Sequence, residues 1–102
     1  MMKTSFEGRT VVVTGGAQGI GFSIAKSFLE AGATVRIWDY SNEALAVAEK
    51  ELSAFSKNLM CTRVDVADRK SCAAAASSIT SPLHILINNA GITRDKSFKA
   101  IS

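Results

Sequence analysis

The sequence predicts an α/β fold in which a doubly wound parallel sheet carries helices on both faces. Four short apolar runs, rich in β-branched residues, alternate with three amphipathic stretches. The runs show little polar alternation, which is typical of strands covered on both sides. Each crossover between runs is long enough to hold a helix, so neighbouring strands are expected to be parallel. The predicted order is β-α-β-α-β-α-β.

The first strand and helix have the clearest pattern. Thr10–Thr14 (TVVVT) is β-branched throughout, which favours a strand. Apolar residues recur at helical spacing across Gly19–Ala31, and Gly32 follows where a helix-terminating glycine is expected. Thr34–Trp38 (TVRIW) then predicts the second strand.

The second helix and third strand follow a polar turn. Ser41 or Asn42 can cap this helix. Leu59–Val64 (LMCTRV) predicts the third strand. The apolar face of the helix is expected to hold Leu45, Ala48, Leu52 and Phe55.

The third helix and fourth strand complete the pattern. Asp68 caps an alanine-rich helix that extends to about Ile79, and Ser81-Pro82 ends it. Leu83–Ile87 (LHILI) predicts a fourth strand with cover on both faces and a neighbour on each side. The polar tail that follows resembles a loop entering another helix. We therefore expect one domain, residues 1–102, truncated at its C-terminal end, whose exposed edge strand makes the isolated polypeptide oligomeric or aggregation-prone.

Composition excludes several classes of protein. Of the 102 residues, 47% are hydrophobic and 21% charged, which fits one globular domain and excludes a disordered chain. No apolar run approaches the roughly 18 residues of a membrane span, and the start has no apolar signal segment, so we expect a cytoplasmic protein. The net charge is +3, but the basic residues are scattered, which argues against nucleic-acid binding. Cys61 and Cys72 lack metal-ligand spacing and are expected to be buried, reduced thiols.

The strongest functional signal is the loop Thr14–Gly21 (TGGAQGIG), which follows a strand and opens a helix. Gly15 allows a tight turn with positive φ. Gly19 allows backbone N–H groups at the helix N-terminus to approach a pyrophosphate, which the helix dipole also attracts. Gly21 permits close packing of helix and strand. The pattern predicts a Rossmann-type dinucleotide site.

An acid stands at the end of the second predicted strand. Asp39 follows Gly21 by 18 residues, close to the spacing at which an acid accepts hydrogen bonds from the adenosine ribose hydroxyls and repels a 2′-phosphate. Asp39 therefore favours NAD over NADP, although the nearby Arg36 can soften that preference. The alternative is that Asp39 is a surface turn acid.

Three motifs in order resemble the N-terminal part of a short-chain dehydrogenase/reductase. They are the loop Thr14–Gly21, the pair Asp65-Val66 after the third strand, and Asn88-Asn89-Ala90-Gly91 after the fourth. The segment after Gly91, Ile92-Thr93-Arg94-Asp95, is similar to that of 3-oxoacyl-acyl-carrier-protein and acetoacetyl-CoA reductases.

The resemblance implies a role for each position. Asp65 would hydrogen-bond the adenine amino group, with the Val66 backbone beside it, unless Asp65 is only a capping acid. Thr14 would hold the glycine loop or the fourth-strand turn in register, and Asn89 would support the sheet. The pyrophosphate would lie along Gln18, Gly19 and Ile20, and the ribose side of the cleft would be lined by Asn88, Ala90 and Gly91. A basic residue often replaces Gln18 in NADP-using members, so Gln18 agrees with NAD.

The resemblance also implies hydride transfer between a nicotinamide and a carbonyl or alcohol carbon, with a Tyr-x-x-x-Lys pair handling the proton. The only tyrosine of this chain is Tyr40, four residues before Ala44, and His84 is expected to be a packed strand residue. We therefore expect the NAD(P)(H)-binding half of a homo-oligomeric oxidoreductase, without catalytic residues of its own. Its substrate is expected to be a small carbonyl or alcohol, with a 3-oxoacyl thioester of fatty acid metabolism indicated. The alternative is a non-catalytic NAD-binding module, or a fragment that complements a partner through its edge strand.

Overall fold

A computed structural model describes residues 6–77, 79 and 82–89 of the chain. Its strands are β1 (Thr10–Thr14), β2 (Thr34–Asp39), β3 (Leu59–Arg63) and β4 (Ile85–Asn88). Its helices are α1 (Gly19–Glu30), α2 (Asn42–Glu51) and α3 (Arg69–Ser77), and a 3₁₀ segment covers Ser53–Asn58.

The strands form one parallel sheet in the order β3-β2-β1-β4. Val11 of β1 lies opposite Val35 of β2 on one side and opposite Ile85 of β4 on the other. The chain therefore builds the sheet in one direction from β1 to β3 and then returns to the far side of β1. This reversal creates a switch point between β1 and β4, where ligands of open α/β sheets bind. The predicted fold class is confirmed.

Two apolar clusters cover the two faces of the sheet. The larger lies beneath α1 and α2 and includes Val11, Val13, Ile37 and Leu52, all almost completely buried. The smaller lies beneath α3 and is formed by Val12, Trp38, Val64 and Ala75. Helices on both faces explain why β1, with all five residues buried, shows no polar alternation.

The second helix ends earlier than its apolar face predicted. Leu52 and Phe55 lie beyond α2, and the backbone of Phe55 is not helical. Leu52 is nevertheless 1% exposed, and Phe55 packs against the same cluster. The apolar side chains therefore continue across the kink, because burial depends on where they pack and not on the helix that carries them.

The fourth strand lies slightly later in the chain than predicted. Leu83 and His84 precede β4. The His84 side chain is exposed, and its Nδ1 accepts a hydrogen bond from the Thr10 N–H at 3.0 Å. The expectation of a packed strand histidine is therefore wrong, since this ring satisfies a backbone donor at the start of β1.

The sequence predicted apolar packing against both faces of β4. Within the described ranges, side chains pack against one face of this strand. Ile85 and Ile87 pack against the larger cluster, whereas Leu86 is 55% exposed. The smaller cluster under α3 contains no β4 residue. No helix of the described part of the chain is long and apolar enough to cross a membrane.

Candidate functional site

The glycine loop leaves the carboxyl end of β1 through two left-handed residues. Gly15 has φ +66° and Gly19 has φ +63°, a backbone region that residues with a side chain rarely adopt. The Gly15 N–H donates to the Trp38 carbonyl at 2.7 Å, which ties the loop to the end of β2.

Gly21 lies at the tightest contact of the site. A Cβ built on this residue would lie 2.2 Å from the Gly15 carbonyl oxygen and 2.7 Å from the Asn89 amide nitrogen. Only glycine therefore allows the first turn of α1 to approach the loop this closely. The expected role of Gly21 in close helix packing agrees with this geometry.

The first turn of α1 presents an open, uncapped helix N-terminus. Gln18 is the N-cap, but its side chain makes no capping hydrogen bond, and α1, all of which the structure describes, has no acid in its first turn. A Cβ on Gly19 would meet no atom within 4 Å, and Ile20 is 69% exposed. Open space in front of helix N–H groups is what an anion such as a pyrophosphate requires.

Asp39 is built into the site and is not a surface turn acid. The residue is only 8% exposed. Its Oδ2 accepts from the Ala17 N–H and its Oδ1 from the Ser41 N–H, both at 3.1 Å. One carboxylate thus joins the glycine loop to the turn before α2.

An open groove of about 300 Å³ lies between the glycine loop and α2. The Ser41 hydroxyl, on its wall, accepts from the Ala44 N–H at 3.1 Å and so caps α2. The wall is lined by Ala17, Gln18, Ser41, Glu43, Ala44 and Val47. Glu43 places a carboxylate on the α2 side of the groove.

The end of β4 is bound to the glycine loop by side chains. The Thr14 hydroxyl lies 3.1 Å from Asn88 Oδ1 and 3.3 Å from the Ile87 carbonyl oxygen. The buried Asn89 donates from its amide to the Gly15 carbonyl at 3.3 Å. Thr14 and Asn89 therefore hold the switch point together, as the sequence led us to expect. Asn88 is exposed beside them, whereas Ala90 and Gly91 lie outside the described residues.

Asp65 and Val66 follow β3, next to the end of β2. The Val64 N–H donates to the Asp39 carbonyl at 2.9 Å, so the turn that begins at Asp65 lies beside the Asp39 backbone. Tyr40 is half exposed, with the Arg63 guanidinium carbon 4.8 Å from its ring centroid. This stack supports the backbone between the ends of β2 and β3.

The two thiols play no visible part in this site's chemistry. Both are half-buried rather than fully buried. Burial, and secondarily the charge of Glu49, raise the pKa of Cys61 to about 11, so its thiol stays protonated near neutrality. Within the described ranges, no group of three or more His, Cys, Asp or Glu side chains could hold a metal ion.

The structure thus brings the glycine loop, Asp39, Asp65 and Asn88 to the carboxyl edge of the sheet. Sequence reasoning missed Ser41 and Glu43 as lining residues and the bond from Ala17 to Asp39. The sequence signal for this turn was an acid, Asp39, followed two residues later by Ser41, which can cap a helix.

Known proteins share both the sequence and the fold. A family model described as short chain dehydrogenase matches residues 9–102. The 3-oxoacyl-[acyl-carrier-protein] reductase FabG of Chlamydia pneumoniae is 39% identical over 97 residues, which cover 92% of this chain and 39% of FabG. The 2-dehydro-3-deoxy-L-rhamnonate dehydrogenase (NAD(+)) of a Sphingomonas species is 37% identical over 91 residues, covering 86% of this chain and 35% of that one.

A solved structure is similar to this chain in both fold and sequence. The RhlG/NADP active-site complex of Pseudomonas aeruginosa has a TM-score of 0.77 at 38% identity, covering 89% of this chain and 38% of that one. The fold and the loop are those of a Rossmann-type α/β protein. The chain belongs to the short-chain dehydrogenase/reductase family, whose members are NAD(P)-binding oxidoreductases. It spans about two fifths of the length of these relatives.

Proposed function

We propose that residues 1–102 are a dinucleotide-binding domain that holds NAD for hydride transfer between its nicotinamide and a carbonyl or alcohol carbon. The observation that carries the proposal is the uncapped N-terminus of α1 at the switch point, packed against Gly15 through Gly21. The bound nicotinamide would accept or donate the hydride.

The described residues fit a dinucleotide. The pyrophosphate lies along Gln18, Gly19 and Ile20, where open space meets the helix N–H groups. Gly15 and Gly21 shape that loop. Asp65 accepts from the adenine amino group beside the Val66 backbone. Asn88 would line the ribose side of the cleft, and the family resemblance implies the same role for Ala90 and Gly91, which lie outside the described residues.

Negative charge beside the glycine loop favours NAD over NADP. Asp39 accepts from the Ala17 N–H of the glycine loop, and Glu43 lines the groove beside that loop. A 2′-phosphate bound beside the loop would be repelled by these negative charges, whereas a ribose hydroxyl can donate a hydrogen bond to a carboxylate. Named relatives include both an NAD(+) dehydrogenase and a protein solved with NADP. The choice of NAD for this chain therefore rests on the local charges.

The substrate that we propose is a small carbonyl compound or alcohol, and more narrowly a 3-oxoacyl thioester. Similarity to FabG and the segment Thr93–Asp95 support the narrower choice. Because the sequence holds no Tyr-x-x-x-Lys pair, none of its residues is assigned to the proton transfer. We also propose a homo-oligomeric enzyme, as the family resemblance implies, and a cytoplasmic location, as the sequence led us to expect.

The test is a titration of the purified protein with NAD and with NADP. The single tryptophan, Trp38, lies on β2 directly before Asp39 and provides a fluorescence signal for binding. We expect saturable binding with a clear preference for NAD. Because this sequence holds no Tyr-x-x-x-Lys pair, we expect NADH oxidation with acetoacetyl-CoA only from a protein in which further chain supplies that pair. Absence of saturable binding of either dinucleotide would overturn the proposal. Binding without turnover by a protein that does contain a Tyr-x-x-x-Lys pair would leave a non-catalytic NAD-binding module.

A further inference from the structure

The turn after β3 is held by side chains of the helix that follows it. Asp65 donates its backbone N–H to the Ser71 hydroxyl at 3.0 Å. Its carbonyl accepts from the Asp68 N–H at 2.8 Å, and its carboxylate Oδ1 accepts from the Ala67 N–H at 3.0 Å. The backbone and the carboxylate of Asp65 are thus both oriented by defined partners.

Cys72 contacts the same turn from the next position on α3. Its Sγ lies 3.8 Å from the Asp65 carbonyl oxygen and 3.7 Å from the Val66 carbonyl oxygen. The side chain also packs with Val66 against the smaller cluster. A thiol is a weak donor, so Cys72 supports the turn mainly through packing.

Ser71 is not needed to cap α3. The cap is Asp68, whose Oδ1 accepts from the Lys70 N–H at 2.9 Å. The Ser71 hydroxyl therefore serves the turn and not the end of the helix. The Asp65 N–H that it accepts from is part-buried. Leaving a buried donor without an acceptor costs free energy. We therefore expect the turn to rearrange when the Ser71 hydroxyl is removed.

From this geometry we propose that Ser71, supported by Cys72, is a positioning residue that orients Asp65 and Val66 for recognition of the adenine base. The inference rests on the proposed function. Ser71 acts through Asp65, and its removal should affect the recognition of the adenine amino group more than the affinity for the rest of the dinucleotide.

Deamino-NAD, which carries hypoxanthine in place of adenine, tests recognition of the amino edge of the base. It replaces the amino group with a carbonyl oxygen, which cannot donate to Asp65, and it converts the neighbouring N1 acceptor into an N1–H donor. The wild-type protein should bind NAD roughly tenfold or more tightly than deamino-NAD, as expected for one hydrogen bond to a charged acceptor. The Ser71→Ala variant should reduce this ratio of dissociation constants to within about threefold, and Ser71→Thr, which keeps the hydroxyl, should restore it.

A matched control separates positioning from general destabilisation. Ser77→Ala makes the same change at an exposed site on the same helix and should leave the ratio at the wild-type value. A loss of folded protein lowers the binding of both dinucleotides equally and does not change their ratio. If Ser71→Ala does not fold, Cys72→Ala is tested in the same way, with a smaller fall in the ratio expected.

The outcomes distinguish the two proposals. Wild-type protein that binds neither dinucleotide overturns the proposed function and this inference with it. Wild-type protein that prefers NAD, together with an unchanged ratio in Ser71→Ala (or in Cys72→Ala if Ser71→Ala does not fold), overturns the inference alone. A wild-type protein that binds NAD and deamino-NAD equally also overturns it, because Asp65 would then not read the adenine amino group.

Discussion

Single residues at the carboxyl edge of the sheet combine structural and binding roles. Asp39 accepts from the Ala17 and Ser41 N–H groups, two residues that line the groove. Asn89 reaches the carbonyl of Gly15, which also limits the space at Gly21. Substitutions here are therefore expected to change stability and cofactor binding together, and the size of each effect depends on which contact is lost.

Gly21→Ala tests the close approach of α1 to the loop. The added methyl would overlap the Gly15 carbonyl oxygen and the Asn89 amide. Overpacking of this kind costs about 1–3 kcal/mol or more and outweighs the gain in helix propensity. We expect a lower free energy of unfolding, measured in urea, and weaker NAD binding. Ser23→Ala, an exposed site on the same helix, is the control, and equal stability of the two variants would contradict the close contact.

Asp39→Asn tests the source of cofactor preference. The change removes a negative charge that would face a 2′-phosphate, an interaction worth about 1–4 kcal/mol at contact distance. We expect the ratio of NADP to NAD affinity to rise by roughly tenfold or more, with some loss of stability because an amide cannot accept from both backbone donors. Dissociation constants measured for both dinucleotides provide the check.

Glu43→Gln is the matched variant for Asp39→Asn. It removes a negative charge from the lining of the groove, and among the described residues no hydrogen bond joins the Glu43 side chain to the glycine loop. We expect a smaller shift toward NADP and an unchanged free energy of unfolding. If Asp39→Asn leaves the NADP to NAD ratio unchanged, the charge-based preference is wrong.

At the scale of elements, the site depends on how strand ends are joined. β1 and β4 are adjacent in the sheet but far apart in the sequence, and Thr14 pairs in register with Asn88. The Thr14 hydroxyl lies within hydrogen-bonding distance of Ile87 and Asn88 at the end of β4. This connection joins the carboxyl ends of β1 and β4 beneath the glycine loop.

Thr14→Val tests the connection with little change of volume. The substitution removes a buried hydroxyl donor and leaves a β4 acceptor without its partner, which costs about 1–2 kcal/mol. Thr34→Val on β2 makes the same change at a half-buried site and should be nearly neutral. Chemical denaturation compares the two variants, and equal midpoints would show that the Thr14 bond contributes nothing.

At the scale of the molecule, the described sheet ends at β4. Leu86 and Leu83 are 55% and 44% exposed, and in the part of the sheet that the structure describes β4 has β1 as its one neighbour. Within the described residues the outer edge of β4 has no strand neighbour and lies beside exposed leucines, an arrangement that favours association with another chain.

A polypeptide consisting of residues 1–102 should therefore self-associate at micromolar concentrations. Sedimentation velocity measures the association, and Leu86→Lys should reduce it by placing a charge beside the strand edge. A stable, monodisperse monomer of the unaltered polypeptide would contradict the expectation.

The sequence by itself determined the order of elements, the glycine loop and the family. These features are local: strand periodicity, turn glycines and helix caps depend on neighbours within a few residues. Thr10–Thr14 was predicted with its exact bounds for this reason. The extent of α2 was not, because Leu52 and Phe55 are held by packing against the core while the backbone leaves the helix.

Only the tertiary structure decided how the site is supported. The bond from Ala17 to Asp39 joins residues 22 apart, and the bond from Asn89 to Gly15 joins residues 74 apart. The contact of Ser71 with Asp65 is close in sequence but needs the return of α3 onto the turn. Such contacts carry no periodic signal, since they depend on how the parallel strands bring their carboxyl ends to one edge of the sheet.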